Sequence, residues 1–231
     1  MIRHVNFLLL CPHRLSTLVH AISALGTTAP HFLALAHYAC ANTVCSPDHP
    51  SGYRGRMHGE WDQDHLGIGL VVSDNGACVE YPHRPTVGFL QGGRTARLSQ
   101  PLTMSSGGHH RLSIVIERTG VYSQQSLTEV GLVGARFNES IALWTAQTGW
   151  SFQSYGGKSF LVTPNRNGRD RYGKVIVNGD VVTLRLDMNE RTCALEINGE
   201  DFGVAWKDLP DKVYPAVTLF PPAMYRIVTE D

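Results

Sequence analysis

The segment from Val181 to Gly203 constrains the fold more than any other. Val182, Leu184, Leu186 and Met188 alternate with Val181, Thr183, Arg185 and Asp187, and a period of two puts the first set on one face of an extended strand. After a polar turn at Asn189-Glu190-Arg191, Cys193, Leu195 and Ile197 resume the inward face. Asn198-Gly199 is the dipeptide that a type I′ hairpin prefers, because both central residues take positive φ. It leads into Phe202, Val204 and Trp206. Three strands in antiparallel succession are expected.

Similar patterns recur from Leu66 onward. Ile68 to Val72 is followed by Asp74-Asn75-Gly76 and then by Ala77 to Tyr81, two apolar runs split by turn chemistry. Leu112, Ile114 and Ile116 alternate with Ser113, Val115 and Glu117. Val213 to Phe220 and Met224 to Val228 supply two more strands, separated by Pro221-Pro222, which cannot donate to a ladder and must form a corner or an edge loop. No long helix is expected after Gly59. Roughly seven or more short strands without βαβ alternation predict an all-β domain of two packed antiparallel sheets, which excludes an open α/β enzyme scaffold.

The first part of the chain differs in character. Between Met1 and Gly52 the only charged residues are Arg3, Arg14 and Asp48. Leu15, Leu18, Val19, Ile22 and Leu25, ending at Gly26, read as a short amphipathic helix; a second could start at Pro30 and run through Ala36. Ser46 to Trp61 lacks a hydrophobic period and reads as a linker. The expected division is an extension over residues 1–58, helical or disordered, and a sandwich over residues 59–231. A secretory signal is the rival reading of the extension, with Arg3 and His4 before Phe7 to Leu10 and Ala39-Cys40-Ala41 as the cleavage site. Pro12 to Arg14 break that apolar run too early. Cys11, His13, His37, Cys40, Cys45 and His49 are zinc-competent, but paired Cys-x2-Cys knuckles are missing, so neither a metal nor a cofactor is expected.

The chain carries 20 basic and 20 acidic side chains, which leaves no electrostatic footprint for nucleic acid or an anionic membrane. Five cysteines without a framework fit a reducing, cytoplasmic compartment. Chemistry is not legible: no convincing carboxylate pair, nucleophile elbow or phosphate loop stands in the sequence. His109-His110 follows Ser105-Ser106-Gly107-Gly108 and reads as a solvated turn rather than a base. Glu200-Asp201 reads as edge charge. Arg166-Asn167-Gly168-Arg169-Asp170-Arg171 is a basic knot that could meet an acidic peptide or merely be solvated.

The order Gly179-Asp180-Val181-Val182, Leu186-Asp187, Asn198-Gly199, Gly203-Val204-Ala205-Trp206 and Tyr214-Pro215-Ala216-Val217 resembles the second half of a SPRY domain. Upstream, Arg97 to Glu117 resembles that family's opening segment, Val130-Gly131-Leu132-Val133 its Val-Gly-Val strand, and Gly149 to Phe160 its Trp/Tyr-rich hairpin. The segment before Arg94 carries no clear Pro-Arg-Tyr-type motif.

The resemblance implies a concanavalin-like sandwich and a non-enzymatic module that grips a partner protein or peptide through loops at one end. Carried onto this sequence, it implicates Gln153, Tyr155, Pro221 and Pro222. Tyr122, just past the Leu112 to Glu117 strand, joins them as a loop aromatic, whereas Trp150 and Trp206 are expected in the core and Tyr155 suits either role. Adaptor or scaffold duty in a multiprotein complex, such as a ubiquitin ligase acting in trans, is implied too. No RING spacing is visible at the amino terminus, and no docking box fits in the three residues after Val228. The alternative is a lectin-like carbohydrate binder, which would need clustered calcium ligands that Asp180 and Asp187, at strand ends, do not supply.

Overall fold

The structure, a computed structural model, describes residues 59–82, 92–106, 108–145, 149–164 and 168–228. The expected helices over Leu15 to Ala36, the zinc-competent set from Cys11 to His49, the signal-like segment, the linker up to His58 and Arg166-Asn167 lie outside those residues.

The chain forms, in order, β1 (Trp61–Leu66), β2 (Val71–Ser73), β3 (Cys78–Tyr81), β4 (Arg94–Leu98), β5 (Leu102–Thr103), β6 (His109–Arg118), β7 (Gly120–Tyr122) and β8 (Gln125–Val133). There follow β9 (Gly149–Tyr155), β10 (Lys158–Val162), β11 (Asp170–Arg171), β12 (Val181–Asp187), β13 (Thr192–Ile197), β14 (Glu200–Trp206), β15 (Lys212–Leu219) and β16 (Ala223–Val228). Among the described residues the helical pieces are single 3-10 turns, and no helix is long and apolar enough to cross a membrane.

The strands make two antiparallel sheets. One runs β1-β4-β15-β8-β9-β10-β11, with β5 also on β15 and β7 also on β8; the other runs β14-β13-β12-β6-β16-β3-β2. Register and alternation together generate the core. Leu184 stands opposite Leu195 on one side and Leu112 on the other, so three neighbouring strands point leucines the same way. Val130, Leu132 and Phe152 meet that face from the larger sheet. Each such side chain stabilises the fold by about 1.5–3 kcal/mol on burial.

The turns follow the expected chemistry. Asn198 and Gly199 have φ of 53° and 79°, the pair of left-handed residues that a two-residue hairpin between right-twisted strands requires. The Asp187 carboxylate closes the β12–β13 turn by accepting from the Asn189 and Glu190 amides. The Pro221-Pro222 peptide is cis and lies at the corner where the chain passes from the larger sheet in β15 to the smaller in β16.

Two expectations are corrected. The strand ladder starts with β1 at Trp61 rather than after Leu66. Trp61 is buried and donates from Nε1 to the Ala77 carbonyl at 3.1 Å, which fixes the strand although four polar residues follow it. His109-His110 is no solvated turn: both residues open β6, opposite Asp187 and Leu186 of β12, and His110 is buried with its Nε2 3.3 Å from Ser106 Oγ. Pairing with the full length of β12 extends the strand three residues ahead of its apolar pattern.

Candidate partner-binding site

Three segments far apart in sequence converge at one end of the larger sheet. The β7–β8 connection is a tight hairpin turn in which Ser123 and Gln124 take φ of 46° and 65°, and it sets Tyr122 opposite Gln125. β9 ends at Tyr155, where Gly156 and Gly157, both at positive φ, reverse the chain into β10 and pair Tyr155 with Lys158. The third segment is the Phe220 to Pro222 corner.

The side chains of these segments touch. The Tyr122 ring lies 5.4 Å from the Phe220 ring, edge on, and 6.1 Å from the Tyr155 ring. Tyr122 is 39% exposed while Phe220 is buried, so one aromatic forms the floor and the other faces solvent. The close approach of β7 to the corner depends on Gly120: a Cβ there would sit 2.3 Å from the Phe220 carbonyl oxygen. Tyr155 and Pro222 are half-buried and Pro221 is buried.

Gln153 does not share that surface. It is 2% exposed and stands between Glu129 of β8 and Phe160 of β10, on the face of the sheet turned away from the core. A single 3-10 turn, Leu143–Thr145, packs over this face, and Trp144 of that turn joins Tyr155 against buried Leu127, Ala142 and Phe220. Trp144 is thus part of the aromatic end, and sequence reasoning missed it because the turn has no strand periodicity.

Glu129 was also unforeseen. Its carboxylate is fully buried and accepts from the Trp144 amide at 2.8 Å and from Ser151 Oγ at 2.6 Å. Burial pushes this carboxyl up to about 7, partly offset by the hydrogen bonds from Ser151, Thr218 and the Trp144 amide. The arrangement ties the Trp144 turn to β8 and β9 and so fixes the aromatic end from beneath.

No cluster of His, Cys, Asp or Glu able to hold a metal ion occurs among the described residues. Asp180 accepts from the Val177 amide and from Asn198 Nδ2, and Asp187 caps its own turn, so the two carboxylates serve separate loops. Cys78 and Cys193 are buried free thiols.

Comparison with known proteins agrees with this architecture. The SPRY domain family matches residues 112–230, from the first core leucine of β6 to beyond the end of β16. The chain belongs to the SPRY domain family. The Ran-binding proteins 9/10 homolog of Drosophila melanogaster is 40% identical over 79 residues, covering 32% of this chain and 8% of that protein. Human Ran-binding protein 9 is 34% identical over 79 residues, covering 32% of this chain and 10% of that protein. The matched segment is therefore a small part of those relatives.

Among solved structures, the SPRY domain of human HERC1 superposes with a TM-score of 0.58 at 21% identity, covering 74% of this chain and 98% of that one. The PSpry domain of TRIM65 gives 0.58 at 8% identity, covering 75% and 93%. At such identities the likeness is one of fold. This SPRY domain extends upstream of the matched residues: β1 pairs with β4, and β3 with β16, so strands before Arg94 complete both sheets even without a Pro-Arg-Tyr signature. The SPRY domain is a protein-interaction module.

Proposed function

We propose that this SPRY domain recognises a partner protein through the end of the sandwich built by Tyr122, Tyr155 and the Pro221-Pro222 corner, and that it serves as a non-catalytic adaptor. The observation that carries the reading is the Tyr122 ring, exposed yet braced against Tyr155 and Phe220. A tyrosine held in this way presents a large apolar surface and a polar hydroxyl, with little side-chain entropy left to lose on binding. Gln153, buried beneath the same end, supports the surface without forming it. An intracellular setting suits the free thiols and the Ran-binding relatives, and a multiprotein assembly in which this chain bridges in trans is the natural context. The carbohydrate-binding alternative has no observation in its favour.

The test is affinity capture with the full chain, tagged, against the Tyr122→Ala/Tyr155→Ala double variant. A partner that depends on this end is recovered about tenfold less well with the variant, a loss of hot-spot size, while circular dichroism shows the variant, though less stable, still folded at the capture temperature. Equal recovery of every co-purifying protein would place recognition elsewhere on the sandwich.

A further inference from the structure

Beside the aromatic end lies the β9-β10-β11 edge of the larger sheet. Phe152 and Leu161 point into the core, so alternation turns Tyr155, Lys158 and Phe160 to the opposite face. Arg171, paired with Phe160, shares that face. The Arg169 guanidinium stands 5.2 Å from the centre of the Trp144 ring and 5.9 Å from that of Phe160. Lys158, Arg169 and Arg171 are all exposed.

These cations differ from the arginines of the other sheet. There Arg111 and Arg185 both bond Glu196, Arg185 also meets Asp201, Arg118 meets Glu80, and Arg226 meets Glu117 and Asp74. Among the described residues, no carboxylate forms an ion pair with Lys158, Arg169 or Arg171. Alternation sends Asp170, opposite Leu161, towards the other side. A lone exposed cation is ordinarily just solvated. Here, Lys158 and Arg171 lie on adjacent strands and Arg169 immediately precedes β11, its guanidinium within cation–π range of both the Trp144 and Phe160 rings, a contact that holds it beside the other two.

We propose that this edge receives an acidic segment of the partner protein. Aspartate or glutamate carboxylates of that segment pair with Arg169, Arg171 and Lys158, and an apolar side chain a few residues away rests on Tyr155 and Tyr122. Tyr155 and Lys158 face each other across the β9–β10 hairpin, so the apolar and the cationic contacts adjoin. Arginine forks donate two parallel hydrogen bonds to a carboxylate. The inference rests on the proposed recognition end and names the chemistry of what binds there.

Selection of displayed short random peptides on the full chain tests it, followed by titration of a selected peptide. The expected result is enrichment of Asp and Glu next to an apolar residue, and affinity that weakens as salt rises. About tenfold or greater weakening is expected in Lys158→Glu/Arg171→Glu and in Arg169→Ala. Enriched peptides without acidic residues, or undiminished binding by the charge variants alongside loss in Tyr122→Ala/Tyr155→Ala, would overturn the acidic partner and leave the recognition end standing. Loss in the charge variants with no loss in the tyrosine variant would keep the acidic site and refute the aromatic one. Failure to select any peptide, or tighter binding of a single-stranded RNA homopolymer, would refute both.

Discussion

Ser151 Oγ donates to Glu129 Oε1 at 2.6 Å across the β8–β9 pair, in a layer beneath the Trp144 turn where neither residue is exposed. Glu129 titrates near 7 in the folded protein against an ordinary 4.5. The folded state therefore holds its proton more tightly than the unfolded chain. Stability from this group is highest below about pH 4.5 and falls by up to about 3 kcal/mol as pH rises to about 7, then levels off. Glu129→Gln keeps an acceptor for Ser151 and the Trp144 amide and removes the titration. Urea unfolding between about pH 5 and 8 should show a smaller decline for the variant than for the parent.

Gly131 of β8 has no room for a side chain: a Cβ would lie 1.9 Å from the Trp150 carbonyl oxygen of the neighbouring strand. Gly131→Ala should cost about 3 kcal/mol or more. Calorimetry and the yield of soluble protein report the loss.

Asn198 holds the β13–β14 turn in two ways. It takes φ of 53°, and its side chain accepts from the Val181 amide while donating to Asp180. Asn198→Ala forfeits both and should destabilise by about 1–2 kcal/mol, whereas Asn198→Gly, which keeps the backbone conformation, should lose less. Equilibrium denaturation of the pair separates the two contributions.

Trp61→Ala should cost about 3–5 kcal/mol, as for other large core deletions. A fragment from Gly59 to Asp231 should unfold cooperatively, and one beginning at Gly92, which lacks β1 to β3, should not. Circular dichroism melts distinguish them.

How far these features were legible depended on whether alternation alone determines a residue's surroundings. β12 to β14 were readable because Val182 to Met188 alternate without exception and Asn198-Gly199 fixes the turn. β1 was not, since Asp62, Gln63, Asp64 and His65 follow Trp61 and look like loop. Asp62 tolerates the strand because Arg97 on β4 donates to it from Nε and Nη2. Glu129 and Gln153 alternate correctly with core residues and would be taken for solvent-facing. What buries them is the Leu143–Thr145 turn lying over that face, a contact that no periodicity encodes. Tyr122, Tyr155 and the proline corner could be named from the sequence, but only the crossing of β15 into β16 shows that they meet.

β15 lies between β4 and β8 in one sheet, and β16 between β6 and β3 in the other. The two last strands described are thus interior to both layers. On the ribosome, neither layer can close until the chain beyond Lys212 has emerged, so β4, β8, β6 and β3 wait with unpaired edges of the kind that attract other chains. A stop codon shortly before Lys212 would leave both layers open however much of the domain precedes it, and the nascent domain needs protection until β16 has been made.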